Sequence, residues 1–442
     1  MTGWAEHAIW WQLHPISFTR TAPIAVDAGP LDTAAPAHRL GQLEAWLDYL
    51  IDLGCNGLAL GPVFASESHG YDTVDYFRID PRLGTDDDFD RLVANCRSRG
   101  VSLLLDGVFH HVGRGFPAFQ DVLAHGRSSA YLPWFRVDFH ADGPDGFGYA
   151  DFEGHRNLVA LNHAEPAVQV YVSDVMRYWL DRGAAGWRLD AAYAVPPVFW
   201  RTVTGRVRRD HPDAWLAGEV IHGDYTAIVR DSGLDSVTQY ELWKAIWSSL
   251  NDGNFFELAW ALDRHNSFAE IFAPLTFVGN HDVTRIASRV DDPRHLPHAL
   301  AILFTVAGTP SIYAGDEQAF RGVKYDRAGG DEEIRPAFPG TPDGLAPYGW
   351  PVYRLHQGLI GLRRRHPWMV RARTRVLHLE NEVLAYESAD PAGGAGVAVL
   401  LNISDAPVTF PLAGLAGKPV LGSDSTGEQL EPHGWAVLEL HP

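Results

Sequence analysis

Only two cysteines occur in the 442 residues, Cys55 and Cys96, each in an apolar context and without CxxC spacing. A disulfide framework and a thiolate metal centre are therefore excluded, and two buried free thiols are expected. Basic residues are also scarce: 36 Lys and Arg stand against 55 Asp and Glu, for a formal charge of -19, and no basic run occurs. Nucleic-acid binding needs clustered cations for the phosphates, so a small ligand is the better partner. No apolar run approaches the ~18 residues that a membrane helix requires, so no membrane partner is expected. The first residues, Met1-Thr-Gly-Trp-Ala-Glu-His, lack the basic and apolar regions of a signal peptide, and the chain as given reads as cytoplasmic. No Gly-rich phosphate loop follows the first candidate strand, which argues against a dinucleotide-binding doubly wound sheet.

What is present is a large apolar budget, 46% of the residues, arranged as short β-type runs alternating with longer amphipathic stretches. The candidate strands are 8–13, 57–61, 101–106, 186–190, 214–219, 236–240, 275–279 and 311–314. Candidate helices between them include 41–53, 86–99, 166–181, 197–209 and 295–306. Eight alternations predict an α/β fold of the (β/α)8 TIM-barrel class, with residues 1–111 and 162–370 forming the barrel. The interval 112–161 is too long for an ordinary loop and rich in Gly, Pro, Asp and aromatics, so it reads as a short subdomain over the rim after the third strand. Beyond about residue 371 the pattern changes to short alternating runs, which predicts a C-terminal antiparallel β-sandwich over 371–442.

Charged side chains collect where the strands should end. The segments are Asp106-Gly-Val-Phe-His110-His111, Gly186-Trp-Arg188-Leu-Asp190-Ala191, Ala217-Gly-Glu219-Val220, Phe277-Val-Gly-Asn280-His281-Asp282 and Gly308-Thr-Pro-Ser-Ile-Tyr313-Ala-Gly-Asp316-Glu317. Most are apolar runs that break off at a carboxylate, as when a buried parallel strand delivers an acid to a barrel rim. Acetal cleavage needs one carboxylate at the developing oxocarbenium centre and one protonated carboxyl for the departing oxygen. Asp190, Glu219 and Asp282 supply the acids. Arg188 lies two residues before Asp190 and so shares its face of the strand, where it would keep Asp190 ionised as the nucleophile. Glu219 has no cation near it in sequence and ends an apolar strand, where desolvation would suit a general acid.

These segments resemble the signatures of the α-amylase family of glycoside hydrolases, and the likeness covers nearly the whole chain. Gly70-Tyr71-Asp72, Asp80-Pro-Arg-Leu-Gly-Thr85 and Leu161-Asn162-His-Ala-Glu-Pro166 support it. The resemblance implies that Asp190 is the nucleophile, Glu219 the acid/base and Asp282 the transition-state stabiliser, with retention of the α configuration. It implies further that His111 and His281 bind the sugar, Tyr71 stacks on it, and Asp106 and Arg188 support the site. Retention would place the Asp190 and Glu219 carboxyls about 5–5.5 Å apart.

Phe116-Pro-Ala-Phe-Gln-Asp-Val-Leu, Trp134-Phe135, Phe199-Trp200 and Gly329-Gly-Asp331-Glu-Glu-Ile-Arg335-Pro are similar to cyclomaltodextrinases, neopullulanases and maltogenic amylases. By that likeness Asp331 and Arg335 reach a neighbouring glucose, and the substrates are short or cyclic maltodextrins, including cyclic maltosyl-maltose. The alternatives are an α-glucosidase, an α-1,6-glucosidase or a transglycosylase or isomerase of the same family, and, outside it, a non-catalytic binding barrel. The chain departs from the family in three places. It begins at the first barrel strand, without the N-terminal β domain through which many such enzymes dimerise, so their oligomeric state is not carried over. His110 stands where the family usually has Asn, and a neutral imidazole is a poor ligand for Ca²⁺, so calcium at the usual family site is disfavoured; no cofactor is required, and the sequence does not address metal binding elsewhere. Val220-Ile221 replaces the aromatic often found after the acid, at the leaving-group side.

Overall fold

The computed structural model describes residues 3–19, 37–327, 329–411, 417–423 and 429–440. Eight parallel strands form its centre: β1 (Trp10–Leu13), β2 (Gly57–Leu60), β3 (Ser102–Gly107), β4 (Gly186–Leu189), β5 (Trp215–Gly218), β6 (Ser236–Val237), β7 (Leu275–Phe277) and β8 (Thr309–Tyr313). Their order in the sheet is β6-β5-β4-β3-β2-β1-β8-β7. The two ends meet through a parallel bridge between Thr238 and Leu275 and a hydrogen bond from the Gln239 N–H to the Leu275 carbonyl, which closes the ring. The strands are two to six residues long, and six of the eight are shorter than the apolar runs suggest, the exceptions being β3 and β8. The difference is clearest at β6, where the run continues to Tyr240 but Tyr240 already opens the helix Tyr240–Asn251.

Period-two alternation decides which side chains enter the barrel. At its lower end Trp10 of β1 stacks on Trp215 of β5, with centroids 5.3 Å apart, inside a cluster completed by Ala59, Leu104, Ala217 and Leu275. Gly57 on β2 makes room for this stack, since a Cβ there would lie 2.3 Å from the Trp10 ring. Two residues further along the same strands the inward positions become polar: Gln12, Asp106 and Arg188. The apolar layer below fixes the height at which the polar layer sits.

The helices between the strands carry recognisable starts. Thr85 caps Asp86–Ser98 through a reciprocal capping box with Asp88, and Pro166 opens Pro166–Asp181 at a position where no N–H is needed. The helix expected over 41–53 is two pieces, Leu40–Glu44 and Leu47–Leu53, separated by a turn that sends the Trp46 ring into the core against Trp11 and Phe18.

Between β3 and Pro166–Asp181 the chain builds a small rim layer. His111–Gly113 pairs antiparallel with His155–Ala160, which pairs in turn with Asp151–Phe152. Phe119 packs against Phe135 and Tyr149 beneath it. The C-terminal part is an antiparallel sheet of β9 (Arg373–Leu379), β10 (Val383–Ala389), β11 (Gly396–Asn402), β12 (Gly417–Gly422) and β13 (Trp435–Leu440), in the order β9-β10-β11-β13-β12. Alternate residues of β11 face opposite ways. Val397, Val399 and Leu401 join the main core, whereas Ala398 and Leu400 pack with Phe410 and Leu430 near the two-stranded ladder Val408–Thr409 with Gln429–Leu430. The expected sandwich thus has unequal layers, five strands against two among the described residues.

Candidate active site

Strand register builds the site. Arg188 of β4 lies directly opposite Asp106 of β3 and Ala217 of β5, so Glu219, two residues past Ala217, projects inward one step above Arg188. Arg188 Nη1 donates to both oxygens of Asp106 at 2.8 Å and to Asp190 Oδ1 at 3.0 Å, and its Nη2 meets Glu219 Oε1 at 2.8 Å. The expectation that Arg188 serves Asp190 and leaves Glu219 without a cation is therefore corrected. One guanidinium holds three carboxylates, because Glu219 reaches in space a cation that lies 31 positions earlier in sequence.

Charge arithmetic follows. Three ionised acids around one cation would leave two net negative charges in a pocket where all four side chains are at most 10% exposed. Burial pushes Asp190 well above the carboxylate range, with Arg188 opposing and Glu219 and Asp106 reinforcing the shift. Asp106 is pushed up to about 6 by burial, again against the pull of Arg188. The upward shift of Asp190 runs against the expectation that Arg188 keeps it ionised, because burial outweighs the one shared cation, and the acids titrate as a set. A carboxylate beside a protonated carboxyl is the equipment of acetal cleavage.

Glu219 is held on every side. Its Oε2 accepts from the Ala191 N–H at 3.0 Å, and its Oε1 also accepts from Tyr240 Oη at 3.2 Å. Ala191 takes φ 44°, a left-handed conformation that an alanine adopts at a cost. The turn at Ala191 directs the chain away from the barrel while its N–H stays on the acid. Asn280 Nδ2 donates to Tyr240 Oη at 2.9 Å, while its Oδ1 accepts from the Asp282 N–H at 2.8 Å, so one amide braces both the Glu219 contact and the Asp282 loop. Tyr240, Asn280 and the Ala191 amide were missed as site groups from sequence. Tyr240 had a signal, since it ends a β-type run as the acids do.

His281 shows how a tautomer is set. Burial, with Arg188 and Arg335 adding, holds its pKa well below the ordinary histidine value, so the ring is neutral. Gln12 Nε2 donates to Nδ1 at 3.3 Å, which leaves the single proton on Nε2. That nitrogen faces Tyr71 Oη and lies 3.0 Å from Asp282 Oδ2. Tyr71 Oη donates in turn to Asp106 Oδ2 at 3.3 Å, and its ring lies parallel to the His281 ring, 5.5 Å away. Asp282, at 31% exposure, is the most open of the acids.

The remaining expected residues are placed as follows. His111 is buried, pushed down to about 3 by burial, and its Nε2–H is spent on the Tyr71 carbonyl at 3.0 Å. His110 packs against His111, Phe152 and His163 and is pushed down to about 4 by burial. This is a neutral, imidazole-rich wall unsuited to a hard cation. Arg335 donates to the His281 carbonyl at 2.8 Å and to Asp282 Oδ1 at 2.9 Å, and it pairs with Asp331 at 3.0 Å. Asp316 and Glu317, at the end of β8, are fully buried and do not join the cluster. Asp316 pairs with Arg285, and Glu317 accepts from Tyr49 Oη. On the leaving-group side, Tyr193 donates to Glu153 of the rim layer at 3.0 Å and faces His222, while Ile221 is exposed.

A profile described as the alpha amylase catalytic domain matches residues 12–340. The cyclomaltodextrinase of Geobacillus thermopakistaniensis strain MAS1 is 31% identical over 428 residues, covering 92% of this chain and 71% of that protein. Neopullulanase 2 of Thermoactinomyces vulgaris is 31% identical over 427 residues, covering 90% and 70% respectively. Among solved structures, the ligand-free cyclic alpha-maltosyl-(1→6)-maltose hydrolase from Arthrobacter globiformis superposes with a TM-score of 0.83 at 28% identity, covering 100% of each chain. With the catalytic-domain match spanning the barrel and every rim acid in place, the chain belongs to the alpha-amylase family of glycoside hydrolases.

Proposed function

We propose that this protein hydrolyses α-1,4-glucosidic bonds in short or cyclic maltodextrins by double displacement, with retention of the α configuration. The observation that carries the reading is the single guanidinium shared by Asp106, Asp190 and Glu219, which gathers three acids around one positive charge. Asp190 attacks C1, and Glu219 gives its proton to the departing oxygen. Glu219 then takes a proton from water, whose oxygen displaces Asp190 from C1. Contacts of both carboxyls with one guanidinium support the close spacing of this route over the ~6.5–9.5 Å that a direct water attack needs. Asp282 and His281 bind hydroxyls of the reacting sugar, the His281 Nε2–H turning to the sugar from Tyr71 Oη and Asp282 when substrate enters, and Tyr71 stacks on its face.

Two expected roles are revised within this proposal. Arg335 acts through Asp282, because its guanidinium is spent on that carboxylate, on the His281 carbonyl and on Asp331. His111 acts by holding the Tyr71 backbone. Residues 112–161 wall the cleft, 1–111 with 162–370 carry the chemistry, and the described strands within 371–442 pack against the barrel. The substrate class rests on the names of the relatives, which are cyclomaltodextrinase, neopullulanase and a hydrolase of cyclic maltosyl-maltose. A cytoplasmic location belongs to the same proposal and is checked by cell fractionation.

The test is product analysis by NMR after separate incubation with cyclodextrins, maltotriose, isomaltose, panose and cyclic maltosyl-maltose. Opening of a cyclic substrate to a linear oligosaccharide with an α-configured new reducing end, followed by α-maltose from further cleavage, is the expected result. Release of β-configured sugar, or turnover of isomaltose alone, overturns the reading.

A further inference from the structure

Three side chains from separate segments meet where the barrel touches the C-terminal sheet. Asp292 lies in the loop after β7, His295 just before the helix Leu296–Thr305, and His433 in the turn before β13. Their ligand atoms all lie within 4.8 Å of one another. His295 Nε2 and His433 Nδ1 are 2.9 Å apart, and His433 Nε2 faces Asp405 Oδ1 at 2.9 Å. An Nε2–H donated to Asp405 leaves the Nδ1 lone pair of His433 aimed at His295, the carboxylate–histidine arrangement that orients metal-binding imidazoles. Beside them His298 is fully buried, its ring 5.2 Å from that of His295. Its Nε2–H is spent on the carbonyls of Asn402 and Gly434, and its Nδ1 finds no partner among the described residues.

We propose that Asp292, His295 and His433 bind one zinc ion that staples the C-terminal sheet to the barrel, with water in the fourth position. Two imidazoles and one carboxylate suit a borderline-soft divalent ion in tetrahedral geometry, and they are too few oxygens for calcium. Zn–N bonds of ~2.0–2.1 Å in a tetrahedron separate the two nitrogens by about 3.3 Å, so the rings need to open by only a few tenths of an ångström. His295 then carries its proton on Nδ1. Asp292 Oδ1 accepts from the Arg294 N–H at 2.9 Å and from Nε at 3.0 Å, and Oδ2 accepts from Nε at 2.9 Å and Nη2 at 2.5 Å; the ion takes Oδ2 in place of the Arg294 side chain, which is 58% exposed and free to swing into solvent. The staple would tie the helix between β7 and β8 to the turn before β13.

The test uses the full-length protein stripped with EDTA, titrated with zinc chloride in a calorimeter and melted with and without the ion. One zinc per chain and a Tm higher by several degrees are expected. His433 sits at φ 55°, which asparagine tolerates, so His433→Asn keeps the turn while removing the imidazole. His433→Asn and Asp292→Asn should each weaken uptake at least tenfold and cancel the Tm shift, with kcat on maltotriose in EDTA unchanged. Failure of the wild type to take up one equivalent, or uptake that survives His433→Asn undiminished, overturns the site. If a variant does not fold, cobalt(II) added to the wild type decides: an intense tetrahedral visible spectrum supports the site, and a weak octahedral one overturns it.

Discussion

Two of the arginines that meet carboxylates at the ends of the barrel strands, Arg285 and Arg188, differ in their arithmetic. Arg285 faces one acid, Asp316, at 2.9 Å, and both are essentially inaccessible to solvent. The rest of that guanidinium lies over the Tyr313 ring, 4.4 Å from its centroid, and Gly279 lets Asp316 come close, since a Cβ there would meet Asp316 Oδ2 at 2.1 Å. Arg188 faces three acids at the open end of the cleft. A matched pair closed off from solvent holds a loop in place. An excess of acid over cation, with one edge open, is the arrangement from which the proposed reaction draws its proton. Burial alone does not separate the two cases; the ratio of acids to cations and the access to substrate do.

Asp190→Asn attacks the functional cluster most directly. It should lower kcat by about 10⁴-fold or more on every substrate while the thermal melt stays near that of the wild type, because Arg188 keeps two acids. Substantial residual turnover would move the nucleophile elsewhere. Glu219→Gln should cost about 10²–10⁴-fold on maltotriose yet spare substrates whose activated leaving groups need no proton. Equal loss on both classes would remove Glu219 from the acid role.

Arg285→Met breaks the structural pair, and its effect should depend on pH. Burial pushes Asp316 up to about 6, against the pull of Arg285, from an unfolded value of ~3.9. Its contribution to stability is therefore complete below the unfolded value and lost as pH rises through about 6. Removing the cation raises the folded value further. The variant should be destabilised by about 3–5 kcal/mol at pH 8 and by much less at pH 5, with turnover per folded molecule unchanged. Urea unfolding at the two pH values measures this, and a penalty independent of pH would contradict the pairing. The smallest expected effect is that of Gln12→Leu, which releases the His281 tautomer and should cost about 1 kcal/mol, near fivefold in kcat/KM. A neutral outcome would show that Tyr71 and Asp282 orient the ring unaided.

The same comparison explains what the sequence made legible. Asp106, Arg188, Asp190, Glu219, His281 and Asp282 could be read because each closes an apolar run, and strand periodicity put Arg188 and Asp190 on one face. Asp316 and Glu317 follow β8 after an Ala-Gly turn rather than closing the apolar run itself, and they lie buried beside their own partners, since sequence pattern marks a strand end but not which way the following turn folds. The contact between Arg188 and Glu219 depends on β4–β5 register, which no local pattern encodes. Gln12, Tyr240 and Asn280 are neutral side chains whose importance arises only from what they touch. Ala191 contributes a backbone N–H in a strained conformation, and its side chain gives no hint of that. Arg335 was read toward substrate, whereas its guanidinium is spent on Asp282, His281 and Asp331.

The central claim is that Asp190 forms a covalent bond to the sugar while Glu219 moves the proton. It is tested most directly by incubating Glu219→Gln with an α-glucosyl fluoride and locating the adduct by mass spectrometry of the digested protein. Fluoride departs without acid help, and the missing base slows hydrolysis of the intermediate. One glucosyl unit on the peptide carrying Asp190 is the expected result; an adduct on Asp106 or Asp282, or β-glucose released without any adduct, would contradict the account.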